Sequence, residues 1–262
     1  MKSSPSKFQQ KKKYKALVLD IDGTIIKNNF NAMPSKKVKN AIKKAHGKII
    51  VILATSRPFI HTTHIIENLN ISYPCIFMGG SQIFDPKLNK MLWEKLIDIK
   101  DVKKIFKIIK KLNIEITDDG TNKPQRNEKV NLKEYVDKGP AQFWIYALTL
   151  EEALNLAKNL SHIPTISVVK VPSWEKGKTG IVITHSKANK KHALQVTAKT
   201  LGISTTDMIA IGDGHNDIPL LMACGLKIAM GNANEELKKI ADFVAPSVEE
   251  DGVATVIEKF IL

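Results

Sequence analysis

The sequence predicts an α/β fold: a doubly wound parallel sheet interrupted by a smaller α+β module. Two observations lead there. Apolar, largely β-branched runs alternate with helical stretches at both ends of the 262-residue chain, the rhythm of βαβ units. Between them, residues 83–185 follow a different rhythm. The two ends therefore form one Rossmann-like core, residues 14–82 and 186–262, closing around an insertion.

Residues 14–22 open with Tyr14-Lys15-Ala16-Leu17-Val18-Leu19-Asp20, an apolar run without helical period that reads as a strand. Pro34-Ser35 starts a helix with the stripe Val38, Ile42 and Ala45, and Gly47 stops it. Lys48–Ala54 is a second buried strand, since Ile49 to Leu53 is continuously aliphatic. Pro58 suits the first turn of a helix running to Leu69, and Cys75–Met78 makes a third strand. The insertion reads as a hairpin-like stretch around Asp85-Pro86 and a basic helix from Asp101 to Leu112. A strand at Ile114–Thr117 and a polar loop near 119–140 follow. Next come a strand at Phe143–Leu148, a helix from Glu151 to Leu160, and strands near 165–171 and 180–184. The core resumes with helix Lys190–Leu201, strand Met208–Ile211, helix Asp217–Ala223 and strand Leu226–Met230. Helix Glu235–Ala241, strand Asp242–Val244 and a last helix complete it.

Composition excludes several classes. At 43% hydrophobic and 25% charged residues, the chain is too apolar for wholesale disorder. No apolar run reaches the roughly 18 residues of a membrane span. Residues 1–13 carry five lysines and no acid; they read as a disordered basic tail without a secretory signal, which makes a cytoplasmic location the expectation. The net charge of +14 is spread along the chain, with the tail contributing +5 and residues 84–185 another +5. Such a balance favours anionic substrates and marks no specific nucleic-acid footprint. Cys75 and Cys224 have no partner spacing and read as buried structural thiols.

Four segments fall at the carboxyl ends of strands, where parallel α/β sheets build sites. Asp20-Ile21-Asp22-Gly23-Thr24 follows the first strand; two carboxylates one residue apart project to the same side and call for a cation. Gly23 allows a tight turn whose amides can meet phosphate oxygens. Thr55-Ser56-Arg57 follows the second strand with hydroxyl and backbone donors ahead of a helix N-terminus. Lys190 opens the first helix after the insertion and can neutralise phosphate charge. Gly212-Asp213-Gly214-His215-Asn216-Asp217 is again a strand-to-helix turn and adds two carboxylates and an amide. Convergent aspartates plus phosphate suit Mg2+, which takes oxygen ligands and keeps several waters.

In this order and context the four segments resemble the haloacid dehalogenase superfamily. The chain looks like the Cof-type phosphatases, class IIB, which carry a cap domain between the second and third motifs. The resemblance implies that Asp20 is the nucleophile that forms an aspartyl-phosphate. It implies that Asp22 is the general acid/base and binds metal through its backbone carbonyl. Phosphate would be held around Ile21, Gly23, Thr55, Ser56, Arg57, Lys190 and Asn216, and Mg2+ by Asp20, Asp22, Asp213 and Asp217. Lys191 rivals Lys190, because Lys-Lys stands where the family usually has Lys-Gly. Ser56 stands where Thr-Gly-Arg is usual. A lid the size of residues 83–185 favours small phosphomonoesters, such as sugar phosphates, as partners, with no membrane.

Other features read as scaffold. Asp118-Asp119-Gly120-Thr121 imitates the first motif but puts Thr117 where the nucleophile belongs. His61 and His64, three apart on a helix, lack a third metal ligand. Trp93, Trp144 and Trp174 all fall in the insertion, either as core packing or as lining of a substrate pocket. The competing functions are a phosphomutase or phosphotransferase using the same aspartyl-phosphate, and a basic nucleic-acid-binding protein with an inactive phosphatase fold.

Overall fold

The structure is a computed structural model and describes residues 13–27, 29, 31–116, 132–135, 137–173 and 175–262. Strand β1 (Ala16–Leu19) is buried at every residue, as a strand covered by helices on both faces must be. Helix α1 (Lys36–Ala45) is capped by Ser35, whose hydroxyl accepts the Val38 N–H, and buries Val38, Ala41, Ile42 and Ala45. After β2 (Ile50–Leu53), Pro58 starts a short 3-10 turn, Phe59–His61, before α2 (Thr63–Leu69). The helix expected to run unbroken from Pro58 is thus split at Thr62.

Then follow β3 (Cys75–Phe77), β4 (Gln82–Asp85), β5 (Lys90–Glu94) and α3 (Ile99–Leu112). The insertion continues with β6 (Gln142–Leu148), α4 (Leu150–Leu160), β7 (Ile166–Pro172) and β8 (Thr179–His185). The core resumes with α5 (Lys190–Leu201), β9 (Met208–Gly212), α6 (Ile218–Ala223) and β10 (Leu226–Ala229). It ends with α7 (Glu235–Ile240), β11 (Phe243–Val244) and α8 (Gly252–Phe260).

The central sheet has the order β11-β10-β9-β1-β2, with every pair parallel. Leu17, Leu19, Val51, Leu53, Ile209 and Ile211 face one layer of packing with Ile42 of α1 and Val253 and Ile257 of α8. Val18, Ile52 and Ala210 face the other with Leu194 of α5 and Leu220 of α6. The chain winds outward from β1 in one direction and, after the insertion, from β9 in the other. The crevice between these two strands is the topological switch point, where such sheets bind ligands.

The hairpin β4–β5, expected as the start of the insertion, belongs with the core. It pairs antiparallel with β3, which meets the central sheet through one bridge, Ala54 to Ile76. Ile83 packs with Ile52 and Ile76, and Leu92 and Trp93 join them. The boundary expected at residue 83 therefore moves toward Ile97, where a separate hydrophobic cluster begins.

That second cluster lies between the antiparallel sheet β6-β8-β7 and helices α3 and α4. It joins Ile105, Ile109, Leu156 and Leu160 to Phe143, Ile145, Ile181 and Ile183. The strand expected at Ile114–Thr117 does not form over 114–116, and Thr117 lies outside the described residues. Asn113 ends α3 in the left-handed conformation, and the Ile114 amide bonds back to the Ile109 carbonyl. Ile116 is spent on the cluster instead of a ladder. No described helix is long and apolar enough to cross a membrane.

Candidate active site

Pairing in the sheet sets the first two motifs beside the fourth. Leu19 lies between Leu53 and Ile211, and the Asp20 amide donates to the Ile211 carbonyl at 3.0 Å. Asp20 and Asp213 therefore emerge next to each other at the switch point. Gly23 turns back there at φ +76°, and a Cβ on it would fall 2.1 Å from Asp213 Oδ2. That close approach, together with the positive φ, is what requires glycine.

Lys190 closes the site from the side. The first residue of α5 and 1% exposed, it donates from Nζ to Asp20 Oδ1 at 2.5 Å and to Asp217 Oδ1 at 2.6 Å. Asp217, fully buried, turns its other oxygen to the amides of Asp213 (3.1 Å) and Gly214 (3.0 Å). It thereby folds the fourth-motif loop as well as pairing the lysine. Lys191 is exposed, so of the two lysines it is Lys190 that reaches the carboxylates.

The second motif meets the first through Arg57. Its Nε donates to Asp22 Oδ2 at 2.8 Å and its Nη2 to Asp22 Oδ1 at 2.5 Å, a bidentate fork. Arg57, expected among the phosphate contacts, thus bonds the carboxylate of Asp22. Thr55 Oγ1 accepts the Arg57 amide at 3.1 Å, and Ser56 Oγ accepts from Asn216 Nδ2 at 3.0 Å, which ties the second motif to the fourth. Gly23 is also displaced from the expected phosphate contacts. Its amide donates to the Ile26 carbonyl at 2.8 Å, while the Ile21 carbonyl accepts from Thr24, Ile25 and Ile26.

Among the described residues, Asp20, Asp213 and Asp217 are the group of acidic, His or Cys side chains placed to hold a metal, with ligand atoms within 4.8 Å of one another. The carboxylate of Asp22 stays with Arg57, and His61 and His64 stand outside the group. Burial pushes the Asp20 carboxyl well above the ordinary range, and the charges of Asp217 and Asp213 push the same way against the pull of Lys190. Asp213 is pushed up to about 7, by burial first and then by Asp217. Burial opposes the charge on Lys190, but the carboxylates of Asp20 and Asp217 outweigh it and hold the ammonium above its ordinary value. Three acids, Asp20 and Asp217 buried and Asp213 half-buried, thus crowd around one ammonium.

Two residues were not singled out as site residues from the sequence. Thr24 Oγ1 donates to Asp213 Oδ1 at 3.3 Å. Asn232 Nδ2 donates to the Gly23 carbonyl at 2.8 Å and to Asp213 Oδ2 at 3.4 Å, while its Oδ1 accepts from the Val248 amide. The signal for Asn232 was present: Gly231-Asn232 follows the end of parallel strand β10. Among the other features, Trp93 packs on the core, with its ring 5.6 Å from that of His192. Asp118 to Thr121 and Trp174 lie outside the described residues.

The model of the haloacid dehalogenase-like hydrolases matches residues 17–257, and the chain belongs to that family. Within it the chain is a phosphatase of the Cof type. It is similar to the 5-amino-6-(5-phospho-D-ribitylamino)uracil phosphatase YcsE of Bacillus subtilis, 26% identical over 250 residues that cover 95% of this chain and 96% of the relative. A phosphoglycolate phosphatase of Methanobrevibacter smithii is 28% identical over 94% of this chain and 98% of its own. The fold matches that of the phosphatase BT1666 from Bacteroides thetaiotaomicron with a TM-score of 0.83, at 22% identity over 98% of this chain and 99% of the other.

Proposed function

We propose that the protein is a Mg2+-dependent phosphatase of small phosphomonoesters, sugar phosphates or similar metabolites, acting through an aspartyl-phosphate on Asp20. One observation carries this reading: a buried carboxylate at the switch point, held 2.5 Å from Lys190 and grouped with Asp213 and Asp217. The relatives named for a ribitylamino-uracil phosphate and for phosphoglycolate support a small metabolite.

The donor set fits Mg2+. Three carboxylates against one ammonium leave an excess of negative charge that a divalent cation balances, and the donors are hard oxygens. Asp20, Asp213 and Asp217, with the backbone carbonyl of Asp22, would hold the ion; when bound, it neutralises charge on the phosphoryl group in transfer.

The protein's own groups do the rest. Lys190 fixes one oxygen of Asp20, leaving the other to attack phosphorus as the bond to the leaving oxygen breaks. Asp22 gives its proton to that oxygen, then takes one from the water that attacks the aspartyl-phosphate, releasing phosphate and restoring Asp20. Arg57 grips both oxygens of Asp22 in the resting site and must release one of them for the carboxyl to carry the proton it donates. The Ile21 amide, Thr55, Ser56, Asn216 and Lys190 hold the phosphate oxygens. The core ends near residue 94 and resumes at 186, and the module between acts as the lid.

The test is a panel of phosphorylated metabolites with Mg2+, scored for released phosphate. Turnover is expected for a subset and lost on adding EDTA. Full turnover in metal-free buffer would overturn the metal assignment, and transfer without phosphate release would favour the mutase.

A pH dependence follows from Asp213. With its pKa raised to about 7, Asp213 holds a proton below that pH, which a cation must displace. Mg2+ affinity should fall by at least about tenfold per pH unit below 7, since Asp213 gives up a proton to the cation and the raised carboxyl of Asp20 can give up another. In cation-free protein the raised carboxyl stabilises the fold below its unfolded value of 3.8, and this is lost as pH rises through about 7. Calorimetric Mg2+ titrations at pH 6, 7 and 8 check the first part, and melting in EDTA the second.

A further inference from the structure

The loop that follows β10 touches the site yet belongs to none of the four motifs. The Met230 amide donates to the Gly212 carbonyl at 3.0 Å, and the Asn234 amide to the Asp213 carbonyl at 3.3 Å. On its other side the loop lies against the turn that precedes α8. The Gly231 amide donates to the Pro246 carbonyl at 3.3 Å, and a Cβ on Gly231 would fall 2.7 Å from the Ser247 nitrogen. That 3-10 turn, Val248–Glu250, is closed by a capping box between Ser247 and Glu250. Its Glu249 pairs with Lys27, just past the first-motif loop.

One side chain, Asn232, joins all three segments, and its partners fix which way its amide points. The Gly23 carbonyl can only accept and the Val248 amide can only donate. Nδ2 therefore faces Gly23 and Oδ1 faces Val248, each at 2.8 Å. The same Nδ2 reaches Asp213 Oδ2 at 3.4 Å, while Thr24 Oγ1 donates to Oδ1 at 3.3 Å. The Asp213 carboxylate is thus held at both oxygens, in rotation as well as in place. Gly23 follows Asp22 directly, so the asparagine also steadies the turn that carries the Asp22 carbonyl.

Stability alone does not account for this arrangement. Asn232 is exposed, and water can replace each of its bonds, so their net worth to the fold is small. Direct metal binding does not account for it either. The amide oxygen is engaged by Val248, and the nitrogen, a donor, is the group turned toward the carboxylates. What remains is orientation of the groups that do bind.

We propose that Asn232 is the positioning residue of the cation site: it orients Asp213, holds the Gly23 carbonyl, and through Val248 couples cation binding to the turn before α8. The assignment rests on the Mg2+ reading above. Hydrogen-bond partners of ligating carboxylates set metal affinity, and losing one typically costs about 10- to 100-fold. The coupling runs both ways: if the turn steadies Asn232 for the cation, the bound cation steadies the turn.

The experiment titrates the full chain with Mg2+ in a calorimeter, without substrate. Asn232→Ala should bind Mg2+ about 10- to 100-fold more weakly, with its urea midpoint in EDTA close to that of the wild type. Its kcat should recover at saturating Mg2+, so the defect lies in the cation requirement and not in the chemical step. Val248→Pro leaves Asn232 in place and removes the N–H that its oxygen accepts. The position takes proline, being the first residue of the turn, with Ser247 before it at φ −66° and ψ 168°, the extended conformation that precedes proline. This variant should weaken Mg2+ binding in the same direction by a smaller factor. Hydrogen exchange supplies a readout that a merely structural asparagine would not move. Mg2+ should slow exchange of the Val248 amide in the wild type and have no effect on it in Asn232→Ala. Wild-type Mg2+ affinity in both variants, or Val248 exchange indifferent to Mg2+ in the wild type, overturns the proposal and leaves the metal reading standing. If Asn232→Ala does not fold, Val248→Pro and the wild-type exchange decide the matter. A wild type that itself binds no Mg2+ fells the metal reading, and this proposal with it.

Discussion

Asp20→Asn is expected to abolish turnover, by about 10⁴-fold or more on the scale of other nucleophile removals, and to leave no covalent phosphoenzyme. The amide keeps the shape of the side chain but has no oxyanion to attack phosphorus, and it removes one carboxylate from the group with Asp213 and Asp217. Asp22→Asn should behave differently. It leaves the nucleophile in place and removes the proton donor and base, for a loss of roughly 10²–10⁴-fold. With p-nitrophenyl phosphate, whose leaving group needs little protonation, the Asp22 variant should become phosphorylated and then stall. Rapid quench and mass spectrometry would distinguish the two. Phosphate mapped to Asp20 in the Asp22 variant supports the scheme, and a persistent phosphoenzyme in Asp20→Asn overturns it.

Lys190→Met should destabilise the fold as well as silence the site. The lysine is 1% exposed and bonded to both Asp20 and Asp217. Removing one side of a buried ion pair costs about 3–5 kcal/mol, because the partners stay buried without compensation. Here Asp20, Asp213 and Asp217 would be left with no cation of the protein's own among them. Protonation relieves that repulsion, so the loss should be smaller at pH 5 than at pH 8 in metal-free buffer. Lys191→Met, at an exposed neighbour, should change stability by no more than about 0.5 kcal/mol. Urea unfolding of both variants at the two pH values is the measurement. Equal effects for the two lysines would reverse the assignment.

Much of the site was legible in the sequence, because local pattern and position along a strand are enough to place Asp20, Thr55 and Asp213. Each follows an apolar run that can only be a buried strand, and parallel strands bring their carboxyl ends together whatever the side chains are. The core helices were legible for the same reason: stripes such as Val38, Ile42 and Ala45 repeat at helical spacing. Lys190, by contrast, could not be separated from Lys191 by pattern. Successive residues on a helix point about 100° apart, and which one faces the carboxylates depends on where α5 lands on the sheet.

What the sequence by itself determined is the alternation of elements, the insertion between the second and third motifs, and the identity of the acidic residues at the crest. These follow from periodicity and from charge that needs a counter-ion. Only the tertiary structure decided that Arg57 grips Asp22, that Asn232 braces Gly23 and Asp213, and that the hairpin β4–β5 joins the core. Each of these contacts links positions that no local period connects. They are selected by long-range packing, since a fork, a brace or a strand pairing forms only once the folded backbone has already brought its partners within reach.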